Sequence, residues 1–83
     1  MSVLVANIVG LTGSAIMIVA YAYSNIAREM NFLLFNLLNL VGSLLLIASL
    51  LVSFNLASMV LEIVWAVIAV AGLARALATR SGA

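Results

Sequence analysis

The chain has 83 residues, 69% of them hydrophobic, and its charged residues are three arginines and two glutamates, giving a formal net charge of +1. Such a composition cannot clothe a soluble domain in polar surface, and it places the chain in a lipid bilayer. Three dispersed arginines make no basic stripe for nucleic acid. With no histidine, cysteine, aspartate or lysine, the usual ligands for zinc, copper, haem and iron–sulfur clusters are absent, and so are a nucleophile–base pair and a paired acid and base. No metal site, no cofactor and no enzymatic activity are therefore expected. The expected class is an all-α membrane protein, a single domain over residues 1–83 with three transmembrane helices in one small bundle.

Residues 3–23 form the first expected helix, about the length of a full span. Ala20-Tyr21-Ala22 has the small residues of a cleavage site, but no basic region precedes the apolar run, so a retained helix is expected. Asn7, Gly10, Ser14, Met17 and Tyr21 recur at steps of three and four and share one face. Ala6, Gly10 and Ser14 also make a run of small residues four apart, the pattern that lets helix backbones approach closely in lipid. The polar loop 24–31 carries the adjacent pair Arg28 and Glu29, read as a solvated interface pair, and its shortness makes the first two helices antiparallel neighbours.

Residues 32–52 form the second expected helix. Asn36, Asn39 and Ser43 make its polar stripe, with Gly42 beside them and Ser49 further along. Amides in a bilayer cross-link helices, so structural glue is the plainer reading and a substrate or pigment contact the sharper one. Residues 53–55 are a tight turn, with Asn55 or Ser58 as the N-cap of a third helix over residues 56–77. On that helix Ser58, Glu62, Trp65, Ala69, Gly72 and Ala76 fall on one face. Glu62 is the one carboxylate within a span. A charged side chain there costs roughly 2.5–3.5 kcal/mol on insertion scales, which requires it to be protonated, paired, hydrogen-bonded or close to water.

Three spans put Arg28, Arg75 and Arg80 on one side of the membrane and no Lys or Arg on the other. The positive-inside bias then predicts an outside N-terminus and a cytoplasmic C-terminus. At about 1.5 Å per residue, Glu62 lies roughly 6–11 Å inside the outer end of its helix. Asn7, Ser49, Glu62 and Trp65 are level there and form a candidate polar cluster. Tyr21, Asn36, Asn39 and Ser43 form a second candidate layer nearer the cytoplasm. Gly10, Ser14, Gly42, Ala69 and Gly72 are the expected packing residues.

Gly10-x-x-Gly13 with Tyr21 and Asn25, then Asn36-x-x-Asn39-x-x-Gly42-Ser43, then Ser58-x-x-x-Glu62-x-x-Trp65, together resemble an uncharacterised family of short bacterial three-span inner-membrane proteins. The likeness covers nearly the whole chain. In length, span number and polarity the chain is also distantly similar to the half-sized bacterial sugar transporters, which work as homodimers. That resemblance implies Asn39 and Trp65 as substrate contacts, although the helix prolines of those transporters are missing here.

The functional expectation is a non-enzymatic accessory or structural subunit on a larger inner-membrane complex, respiratory or photosynthetic. The alternative is a homodimeric half-transporter or channel whose polar path is lined by Asn39, Glu62 and Trp65. Expected partners are the bilayer and other membrane subunits or further copies of the chain; lipid, quinone and pigment contacts stay open.

Overall fold

The computed structural model describes residues 1–80, with the Arg80 side chain outside the described part. Its three helices are α1 (Val3–Ile26), α2 (Phe32–Leu50) and α3 (Leu56–Arg80). All three are long and apolar enough to cross a membrane. Helices of 24, 19 and 25 residues are about 36, 28 and 37 Å long, against a hydrocarbon core of about 30 Å. The longest dimension of the molecule, 44 Å, matches the core together with its headgroup layers.

Polar side chains set the helix ends, and they move the expected boundaries. α1 runs three residues past Tyr23, because Ser24 Oγ and Asn25 Nδ2 both donate to the Tyr21 carbonyl, at 2.6 and 3.3 Å. Carbonyls that a helix end leaves bare are satisfied in this way. The connection shortens to residues 27–31. Asn31 caps α2, its Oδ1 accepting from the Leu34 N–H at 3.2 Å while its own N–H donates to the Tyr23 hydroxyl at 2.9 Å. α2 stops two residues before Val52, where the N–H groups of Val52 and Ser53 both turn back to the Ser49 carbonyl at 3.1 Å. Asn55 caps α3, accepting from the Ser58 N–H at 3.1 Å, and Ser58 itself lies inside the helix. α3 continues three residues past Leu77 to Arg80.

The bundle is organised around α2. α1 and α3 each pack antiparallel on it, and among the described residues they make no close approach to one another. The two contact faces of α2 explain this. Gly42, Leu46 and Ser49 face α1, whereas Asn36 and Asn39 face α3. At 100° per residue these sets lie roughly a quarter of a turn apart, so at the usual 8–10 Å interaxial spacing α1 and α3 are roughly 11–13 Å from each other.

Small residues make the core. Ala6, Gly10, Gly13 and Ala20 are buried on α1, Asn39, Gly42 and Ser43 on α2, and Ala69 on α3. Lipid tails are as apolar as leucine, so burying large apolar side chains between helices gains little and close backbone approach gains more. The α1–α2 crossing is closest at Gly13, where an added Cβ would stand 2.7 Å from the Gly42 carbonyl oxygen and 2.9 Å from Leu45 Cβ. The buried stripe of α1 is thus rotated slightly from the expected one. Gly10 and Met17 belong to both, but Ala6, Gly13 and Ala20 take the buried places beside Asn7, Ser14 and Tyr21.

Candidate functional site

The α2–α3 interface holds Asn36, Asn39, Ser43, Glu62 and Trp65. Asn39 Nδ2 donates to the Phe35 carbonyl of its own helix at 2.9 Å. That commits the amide donor and turns Oδ1 outward as an acceptor, which takes the Trp65 indole Nε1–H at 3.0 Å. One helical turn along, Asn36 repeats the device, with Nδ2 donating to the Phe32 carbonyl at 2.8 Å. Its amide lies against the α-carbon of Gly72, where any Cβ would overlap it. A turn in the other direction, Ser43 is fully buried and lies beside the Glu62 carboxyl. Neither Ser43 Oγ nor Glu62 Oε1 reaches hydrogen-bond geometry with any protein atom, so the two are adjacent but not bonded. A buried polar atom without a partner costs about 1–3 kcal/mol.

The expected outer cluster divides between the two faces of α2. Asn7 and Ser49 line one cleft of about 330 Å³ between α1 and α2, together with Gly10 and Ser14. Glu62 and Trp65 instead meet Ser43 and Asn39 on the other face. Six residues separate Ser43 from Ser49, a rotation of about 600°, so the two serines cannot serve the same neighbour. Of the second layer, Asn36, Asn39 and Ser43 do stand together along α3, while the Tyr21 side chain is 70% exposed and joins nothing. Among the expected packing residues Gly10, Gly42 and Ala69 are buried. Gly72 and Ser14 are half-buried, and Ser14 donates to the Gly10 carbonyl at 2.9 Å.

Two residues matter more than the sequence pattern indicated. Gly13 makes the closest backbone approach, and its position three after Gly10 on the buried stripe was the available signal. Tyr23, not Tyr21, ties the first loop to α1 through its hydroxyl; no spacing rule distinguishes the two tyrosines.

A larger groove, about 790 Å³, opens at the far end of the same interface, between the first turn of α2 and the last turns of α3. Asn36 and Gly72 floor it, and Arg75 and Thr79 stand on its α3 side. Arg28, in the loop, is exposed at this end of the molecule, as is Arg75.

A protein-family model matches residues 6–80. The chain belongs to that uncharacterised family. The matched region takes in α1 from Ala6 onward, all of α2 and α3, and every residue of the α2–α3 polar interface. No curated protein and no solved structure matches the chain.

Proposed function

We propose that this integral membrane protein is a non-enzymatic accessory subunit that packs onto a larger bacterial inner-membrane complex, respiratory or photosynthetic, with its N-terminus outside. The observation that supports this reading is the uneven cover of the three helices. In their most apolar stretches 22% of α1 and 17% of α2 is buried, but only 6% of α3. α3 nevertheless carries the polar pair Glu62 and Trp65, with the indole 42% exposed. A helix with so little cover inside its own chain, with a half-exposed Trp65 at the edge of its α2 contact, suits a second protein surface. With α2 lying between α1 and α3, the described residues enclose no path flanked by all three helices.

A homodimeric half-transporter or channel is the second reading, and one observation favours it. Ser43 Oγ and Glu62 Oε1 have unused hydrogen-bonding capacity inside a span, and intramembrane ionisable groups are candidate sites for a moving proton or cation. Purified protein in liposomes loaded with a pH-sensitive dye tests the choice. An accessory subunit should pass no protons under an imposed gradient, with wild type and Glu62→Gln giving the same trace. Proton flux that disappears in Glu62→Gln overturns the subunit reading.

A further inference from the structure

We propose that the groove between the start of α2 and the end of α3 is a binding site for one anionic phospholipid, held by its phosphate at Arg75. The site stands whichever functional reading holds. Its polarity runs in the sense of a lipid. Phe32, Leu33 and Ala76 give apolar wall, and Arg75 and Thr79 bring polar groups to the same groove.

The depth agrees. α3 is about 37 Å long, longer than the hydrocarbon core, so its last turns reach the headgroup layer while Gly72 remains in the apolar region. A volume of about 790 Å³ lies within the roughly 300–1,000 Å³ range of small-molecule sites.

Charge complementarity selects the occupant. Arg75 is exposed, and among the described residues its guanidinium forms no ion pair. Glu62, the other charged residue within α3's apolar stretch, is 13 positions away, about 20 Å along the axis. A guanidinium presents a fork of donors that matches phosphate oxygens, and basic pockets between membrane helices recognise anionic headgroups. The Thr79 hydroxyl is committed to the Arg75 carbonyl at 2.9 Å, which leaves the guanidinium as the main anion-binding group. The floor is closed, because the Asn36 amide fills the space over Gly72; the acyl chains therefore leave along the apolar wall toward lipid.

Native mass spectrometry of the detergent-solubilised full chain tests the site, with phosphatidylglycerol and phosphatidylcholine of identical acyl chains added at equal concentration. Wild type should retain one phosphatidylglycerol in preference to phosphatidylcholine by about five-fold, the effect of one basic residue near a membrane surface. Arg75→Gln should bring that preference close to unity, whereas Arg28→Gln, which removes the same charge from the same end, should keep it. Ala76→Phe, which fills the groove without changing charge, should lose the bound lipid and guards against misfolding of the arginine variant. The proposal is overturned by equal retention of the two lipids in wild type, by equal losses in the two arginine variants, by an unaffected Ala76→Phe, or by displacement of the lipid with millimolar inorganic phosphate.

Discussion

The Trp65 indole N–H has one acceptor, Asn39 Oδ1, and that bond joins α2 to α3 across 26 residues of sequence. Trp65→Phe keeps the ring and removes the donor. It should weaken the α2–α3 contact by about 0.6 kcal/mol and by no more than about 2, the range for hydrogen bonds between membrane helices. Reversible unfolding in mixed micelles would measure it. Glu62 behaves differently because its carboxyl faces Ser43 without bonding to it. Glu62→Gln removes the ionisable group and supplies an amide donor for Ser43 Oγ, so in the same assay it should leave stability unchanged or raise it; a loss above about 1 kcal/mol would contradict this account of the pair. The residue types of this interface were legible in the sequence, since Asn36, Asn39, Ser43, Glu62 and Trp65 stand out in apolar runs. Their pairing was not. Level along the membrane normal does not determine which side of α2 a residue occupies, and Ser49 proved to be on the α1 side.

Between elements, backbone approach outweighs polar attraction on the α1 side. An added Cβ at Gly10 meets the Ser49 hydroxyl at 2.7 Å, a side chain that can rotate away, whereas at Gly13 it meets the Gly42 carbonyl at the same distance, which cannot. Gly13→Ala should therefore cost about 1–3 kcal/mol of α1–α2 association, the usual range for overpacking, and Gly10→Ala less than half as much. Cross-linking of cysteines placed on α1 and α2 would rank them, and equal effects would contradict the rigid crossing. The three spans and their antiparallel order were readable from hydropathy and loop length. The rotation of α1 was misjudged because Asn7, Ser14 and Tyr21 share the 3.6-residue period of the true stripe one position away. Period alone does not separate a polar flank from a small-residue seam. Helix ends differed by two or three residues for a related reason, since Ser24 and Asn25 extend α1 through side-chain bonds to the Tyr21 carbonyl that hydropathy does not register.

For the whole molecule, the first loop and the end of α3 lie at one end, and the N-terminus and the 51–55 turn at the other. The chain contains no native cysteine, so single cysteines report sidedness cleanly. Ser53→Cys should react with an impermeant maleimide added outside intact cells, and Thr79→Cys only after the membrane is opened; the reverse pattern would contradict the outside N-terminus. The proposal that another protein covers the exposed face of α3 makes a stronger prediction. Native mass spectrometry after extraction from the native membrane into polymer nanodiscs tests it directly. Co-purification at fixed stoichiometry with a larger membrane complex is the predicted result, and a dominant species at the mass of one or two chains alone would contradict it.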